Sequence, residues 1–328
     1  AAPAAPPTAL DVVKAFSRER QNGIGPVVDF GDTHYVVLKP IGTGGSSKVY
    51  QVMDTSMNMW ALKVVDLRNA DAHMMQCFRA EIDLLLSLRK QKCTRVIRLH
   101  DAQRRGNHSL EIIMELGDTD LAHMLHRNKG ERLSANYIRI YWEQMLDAVA
   151  TIHEHRIVHG DLKPANFVCV KGQLKLIDFG IAQRVQNDTT NIVRDNHIGT
   201  VNYISPEALT DVSDDADGGP KMKLARASDI WSLGCILYVM VYGHPPFHKL
   251  NSMLKKLRCI PDPKYAIQYP ATDIPDVVDV LQHCLRRNPA ERATIDQLLG
   301  HPFLRPGTGA ALLPPLPPEA GAPPPPPP

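Results

Sequence analysis

Asp161, Lys163 and Asn166 fall within six residues of one another in HGDLKPANF (159–167), and Asp178 follows in LIDFG. A carboxylate, an amine and an amide at this spacing suit chemistry on a phosphate ester. Asp161 is placed to accept a proton from an attacking hydroxyl. Lys163 can neutralise a phosphoryl group in flight. Asn166 and Asp178 are hard oxygen donors of the kind Mg2+ takes. Taken singly, each is an ordinary solvated loop residue, and the signal lies in their order along the chain.

Two further features precede them. In IGTGGSSKV, Gly42, Gly44 and Gly45 would let backbone N–H groups approach phosphate oxygens without obstruction. A Gly-rich hairpin turn is common, so this stretch is weak alone. Ser47 stands where a third glycine would complete G-x-G-x-x-G, and no G-K-[S/T] ends the loop, so it is not a Walker loop. In MWALKVV, Lys63 sits inside an apolar strand, where an ammonium needs an anionic partner or an edge facing water. Glu81, eighteen residues on, can supply that partner and free Lys63 to hold the α- and β-phosphates.

The elements that must position these groups change character along the chain. Residues 34–65 alternate and are rich in Val, Tyr and Ile, reading as YVVLKPI, a Gly-rich turn, KVYQVM and then MWALKVV. A helical period over 72–90 places Phe78, Ile82, Leu85 and Leu86 on one face. LEIIMEL reads as another strand. Beyond Gly117 helices dominate, led by ANYIRIYWEQMLDAVATIHEH with Ile138, Trp142, Met145, Leu146 and Val149 on its apolar stripe. Short strands are expected at Phe167–Val170 and Leu174–Ile177. The reading is α+β and bilobal: a linker over 1–28, mostly disordered, a β-rich lobe over 29–117, a helical lobe over 118–304 and a Pro-rich tail over 305–328. Eleven of the 27 prolines follow Arg305, so that tail is expected to be extended polyproline II or disordered. Its PPLPP could be read by an SH3 or WW domain.

Composition bounds the function. With 328 residues, 44% hydrophobic and 22% charged, the chain is globular and long enough for two lobes. A net charge of +2 argues against direct nucleic-acid or membrane-surface binding. Six scattered cysteines without C-x-x-C argue against zinc and for reduced thiols. The longest apolar run, Trp231–Gly243, is shorter than the ~20 residues a membrane helix needs and reads as a buried core helix. The chain begins at Ala1 rather than Met, which points to a portion of something longer.

The ordered set of Gly loop, Lys63, Glu81, D-x-K-x-x-N and D-F-G resembles the protein kinases over about 34–304. SPE at 205–207 resembles the family's A-P-E, and SDIWSLGCIL at 228–237 its buried central helix. The resemblance implies that Asp229 caps the catalytic loop and that Arg292 pairs with Glu207. It implies ATP and Mg2+, with Ile41, Val49 and Ala61 roofing the adenine and Val168 flooring it. Met114 would be the gatekeeper, with backbone groups of Glu115 and Gly117 bonding the base. IGTGGSSKVYQV, HGDLKPANF, KLIDFGIA, DTTNIVRD, GTVNYISPEA and the insert TDVSDDADGGPKMKLARASDIWSLG are similar to the monopolar-spindle, or TTK, kinases. That likeness implies dual specificity, kinetochore protein substrates in the spindle assembly checkpoint, and a nuclear and cytoplasmic protein at kinetochores and spindle. Lys163, two residues after the Asp, marks the Ser/Thr type.

Most protein kinases carry Arg where this chain has Gly160, and that Arg reads an activation-loop phosphate. Gly160 cannot, so an active kinase with altered regulation is expected. Thr189 and Thr190 are, by resemblance, autophosphorylation sites, which implies transient self-association, and Arg184 and Arg194 are candidate readers. Thr200 is expected to bond Asp161 and Lys163. Competing readings are a catalytically inactive scaffold and a small-molecule kinase. The intact catalytic set disfavours the first, and a peptide-binding GTVNYISPE disfavours the second.

Overall fold

A computed structural model of the protein describes residues 26–44, 47–68, 70–106, 108–178, 200–210, 220–307 and 311–317. The chain forms two compact units, 1–118 and 119–328.

Among its described residues the first unit is a six-stranded antiparallel sheet in the order β1-β2-β3-β4-β6-β5 with one helix. Its strands are β1 (Val27–Phe30), β2 (Thr33–Thr43), β3 (Ser47–Asp54), β4 (Met59–Asp66), β5 (Leu99–Arg105) and β6 (Ser109–Glu115). The hairpin from β1 to β2 turns on Gly31 and Asp32, with Gly31 at φ 56°, a left-handed backbone that glycine adopts without strain. One face of the sheet buries Phe30, Tyr35, Val52, Leu62 and Ile113, each worth about 1.5–3 kcal/mol when fully buried. Pro40 lies in β2 where the register slips between Pro40 and Gly42, the bulged position at which a strand tolerates proline.

Helix α1 (Ala72–Lys90) starts at Asp71, whose carboxylate accepts from the Met74 N–H at 2.7 Å. Its buried stripe ends on Leu85 and Leu88, whereas Leu86, expected on that face, is exposed. A step of three from Leu85 returns to the same side of a 3.6-residue turn, and a step of one does not. Strands β1 and β5 went unforeseen. The first straddles the boundary expected between linker and lobe at 28 and 29. The second, LHDAQRR, is a polar edge strand with almost no alternation.

The second unit is helical around a three-stranded sheet of β7 (Thr119–Asp120), β8 (Phe167–Val170) and β9 (Gln173–Leu176). Its helices are α2 (Leu121–Arg127), α3 (Ala135–Glu154), α4 (Pro206–Thr210), α5 (Pro220–Tyr242), α6 (Met253–Cys259), α7 (Val277–Cys284) and α8 (Ile295–Leu299). Helix α3 is capped by Ser134 and buries Ile138, Trp142, Met145, Leu146 and Val149 completely, as its period predicts. Helix α5 buries residues on every side from Ile230 to Tyr238, as a central core helix must. Among the described residues no helix is long and apolar enough to cross a membrane. Gly234 lets α5 and α7 touch: a Cβ there would lie 2.6 Å from the Cys284 Cβ. Burial pushes the Cys235 and Cys284 thiols well above their ordinary range, which makes them packing groups rather than nucleophiles.

Candidate active site

In the second unit the candidate loop follows directly on α3. Helix α3 ends at His155, Arg156 takes a left-handed φ of 60°, and the Ile157 N–H returns to the Ile152 carbonyl at 2.9 Å. Val158 and Leu162 are buried and anchor the loop at two points. Between them stands His159-Gly160-Asp161.

What fixes this loop is one carboxylate. Asp229 of α5 is fully buried and accepts from the backbone N–H of His159 at 2.9 Å and of Gly160 at 2.7 Å. Its Oδ2 also lies 2.8 Å from His153 Nε2 on α3. A buried carboxylate is tolerated only when its lone pairs are taken up in this way. The cap implied for Asp229 is therefore present, and His153 is a third partner that no sequence motif signals.

Gly160 has φ 76°, a conformation in which a side chain would be strained. The exchange of Arg for Gly thus suits the backbone, whose amide rather than side chain is in use. His159 is 1% exposed, and its Nδ1 accepts from the Asp161 N–H at 3.2 Å. Burial depresses its imidazole below the ordinary value, with the negative charges of Asp229, Asp161 and Asp178 opposing. The ring is therefore a neutral acceptor that sets the Asp161 backbone.

Asp161 and Lys163 meet, Nζ to Oδ2 at 2.9 Å, both only partly exposed. Asn166 is buried, and its Oδ1 accepts from the Lys163 N–H at 3.1 Å. Asn166 closes a 3-10 turn (Pro164–Asn166), after which the β8–β9 hairpin pairs Phe167 with Leu176. The Ile177 N–H then donates to the Asn166 carbonyl at 2.8 Å. That bond sets Asn166 beside the residue preceding Asp178. Asp178 itself holds φ 55°, a strained setting for a non-glycine residue and one that concentrates at functional sites. The Asp178 carboxylate and the Asn166 carboxamide are hard oxygen donors of the kind a divalent cation such as Mg2+ takes. Gln144 of α3 steadies the hairpin by accepting from the Leu174 N–H at 2.6 Å.

The segment that follows is pinned from beneath. Ser232 donates to the Tyr203 carbonyl at 2.8 Å, Ser205 meets Ser228 at 2.6 Å, and Lys256 of α6 donates to Asn202 Oδ1 at 2.7 Å. Glu207 is held by Arg292 through two parallel bonds of 2.6 Å, the pairing the resemblance implies. Arg292 also donates to the carbonyls of Arg286, Ala227 and Arg287, so all five of its N–H groups are used, and its guanidinium lies 5.2 Å from the Trp231 ring centre. The Thr200 backbone opens the 3-10 turn Thr200–Tyr203. Its side chain, with Thr189, Thr190, Arg184 and Arg194, lies outside the described residues.

In the first unit, Lys63 on β4 and Glu81 on α1 line one small cavity with Val65, Phe78, Ile82, Leu110 and Ile112. An ammonium and a carboxylate in an otherwise apolar wall suit each other as partners. Gly42 pairs with Val49 across the hairpin, and Gly44 donates to the Ser47 carbonyl at 2.7 Å. Gly45 lies outside the described residues. Ile41 is exposed, Val49 half-buried and Ala61 buried. Met114 on β6 pairs with Ala61 of β4 and Leu99 of β5. The Glu115 N–H is committed to the Arg98 carbonyl at 3.0 Å, so what Glu115 can offer a base is its carbonyl alone. Gly117 is half-buried. Val168 belongs to the second unit, where it opens the β8–β9 hairpin beside Phe167.

A lysine and a glutamate lining one cavity, a Gly-rich hairpin, and a capped loop presenting Asp161, Lys163 and Asn166 are residue types that a phosphotransferase uses. Residues 35–304 match the protein kinase domain, and the chain belongs to that family. It is 45% identical over 301 residues to the serine/threonine-protein kinase mph1 of Schizosaccharomyces pombe, covering 85% of this chain and 44% of that protein. It is 49% identical over 276 residues to the probable serine/threonine-protein kinase mps1 of Dictyostelium discoideum, covering 83% and 27%. Over 276 residues it is 45% identical to the dual specificity protein kinase TTK of Mus musculus, covering 83% and 31%. The chain thus spans less than half the length of these relatives.

Proposed function

We propose that this chain is the catalytic domain of a dual-specificity protein kinase that transfers the γ-phosphate of ATP to Ser or Thr, and also to Tyr, of proteins. The observation that carries the reading is the loop itself: Asp161 touches Lys163 at 2.9 Å, and Asn166 is hydrogen-bonded to both Lys163 and Ile177.

Kinase chemistry is largely positioning and charge neutralisation around the γ-phosphoryl. Asp161 orients the attacking hydroxyl and receives its proton. Lys163 offsets charge on the phosphoryl oxygens. Asn166 and Asp178 would hold Mg2+, which neutralises the phosphate oxygens when bound. Lys63, aligned by Glu81, holds the α- and β-phosphates, while Gly42, Gly44 and Gly45 present backbone N–H groups. Ile41, Val49, Ala61, Met114, Glu115, Gly117 and Val168 are the residues proposed to serve the adenine.

Similarity to mph1, mps1 and TTK supports a mitotic role, with kinetochore proteins as substrates, a place at kinetochores and spindle, and self-association for autophosphorylation at Thr189 and Thr190. With Gly160 in place of Arg, the reader of that phosphate lies elsewhere, and Arg184 and Arg194 are proposed for it. The inactive-scaffold reading has no observation in its favour.

The test is transfer of radiolabelled phosphate from Mg-ATP to the protein and to a Met-Glu-Leu-Thr peptide, with Asp161→Ala alongside. Label in the unaltered protein alone is expected. ATP binding without label in either protein would overturn the proposal.

A further inference from the structure

The tail supplies an observation the kinase reading does not use. Residues 311–317, Ala-Leu-Leu-Pro-Pro-Leu-Pro, lie beyond the kinase match, which ends at 304. Yet they rest on the second unit. His283 on α7 donates from Nε2 to the Pro314 carbonyl at 3.1 Å, and Arg286 donates from Nη2 to the Pro317 carbonyl at 2.7 Å. Both side chains are buried, and the Arg286 guanidinium is held from behind, its Nε and Nη2 donating to Glu291 Oε2 at 2.9 and 2.6 Å.

The spacing is regular on both sides. His283 and Arg286 are three residues apart, as are the two carbonyls they read. Leu313 and Leu316, also three apart, are the half-buried side chains of the segment, while Ala311, Leu312, Pro314, Pro315 and Pro317 are exposed. A period of three is that of polyproline II, in which every third residue faces the same way. Prolines 314, 315 and 317 lock their own φ and drive the residues before them extended, so the segment loses little entropy on docking.

We propose that the surface presenting His283 and Arg286 is a docking site for polyproline II segments, and that its occupant is this chain's own Leu313–Pro317. The site reads two carbonyls one polyproline turn apart and takes an apolar side chain beside each. An SH3- or WW-type partner expected from PPLPP must displace this contact before it binds. The proposal does not depend on catalysis.

The test uses the full chain and a fluorescent peptide of residues 311–317. In a chain carrying Leu313→Ser and Leu316→Ser the site is vacated without touching the folded unit, and its thermal unfolding checks that the fold is kept. The peptide is expected to bind that chain in trans. It should bind the unaltered chain roughly tenfold more weakly, because a tethered segment competes at about millimolar effective concentration. Adding His283→Ala to the tail variant should weaken peptide binding roughly threefold to tenfold, the worth of one hydrogen bond. Equal binding to the two chains would overturn the proposal, as would no binding to the tail variant up to about 1 mM. Dimerisation of the unaltered chain that the tail variant loses would overturn the occupancy in cis.

Discussion

Asp229→Asn tests the central claim that one carboxylate holds the catalytic loop. Oδ1 takes the Gly160 N–H at 2.7 Å, and Oδ2 takes His153 and the His159 N–H. Asparagine keeps the size but has one oxygen. If that oxygen stays with His159 and His153, its NH2 group faces the Gly160 N–H, donor against donor. One bond to a charged acceptor is lost at a part-buried N–H, about 1.5–3 kcal/mol. For a unit of this size each kcal/mol moves Tm by about 2–4 °C, so a fall of roughly 3–12 °C is expected. Under conditions where the variant stays folded, Asp161 is displaced with Gly160, and an ångström of misplacement costs about a hundredfold in rate. Urea unfolding and differential scanning fluorimetry measure the first effect, and initial rates of peptide phosphorylation the second. A loss below about 1 kcal/mol with an unchanged rate would refute the reasoning.

Three more outcomes follow from the geometry. Gly234→Ala places a methyl 2.6 Å from the Cys284 Cβ, and overpacking at the α5–α7 contact should cost about 1–3 kcal/mol in urea unfolding. Arg292→Lys keeps the charge but loses the fork on Glu207 and two or more carbonyl contacts, and should destabilise by about 3 kcal/mol, with peptide KM rising as the Glu207 segment loosens. The His159 imidazole is depressed below its ordinary 6.5 by burial, so near and below that pH the unfolded chain binds the extra proton. Its contribution is therefore present above about pH 6.5 and lost as the pH falls through that value, and His159→Gln should flatten the fall measured by urea unfolding from pH 7.5 to 5.5.

The sequence was most legible where residue type and chemistry coincide. Lys63, Glu81, Asp161, Lys163, Asn166 and Asp178 stand out by their order along the chain, although each alone is an ordinary residue, and α3 stands out because its apolar period is unbroken. The Asp229 cap and the Arg292–Glu207 pair came only through family likeness, since a lone buried charge has no local signature. What stayed hidden is long-range or polar. His153 reaches Asp229 across 76 positions, and Lys256 reaches Asn202 across 54. Strand β5 is a polar edge that burial does not pattern. Leu86 was misassigned because a run of three leucines, Leu84–Leu86, leaves the helical phase ambiguous to within one residue. The tail was legible as polyproline but not as a ligand, because nothing in 311–317 names the helix it rests on.

At Gly160 the main chain and the side chain have separate duties. The amide is spent on Asp229, so the loop is tied down whatever stands beyond the Cα. A side chain there would carry a conformational penalty of about 1–2 kcal/mol for its left-handed backbone, and no tie would be cut. Position 160 therefore works as an optional input port. A chain can gain or lose a phosphate-reading side chain there while Asp161, Lys163 and Asn166 keep their places, so responsiveness and catalysis can be selected independently although they occupy neighbouring residues.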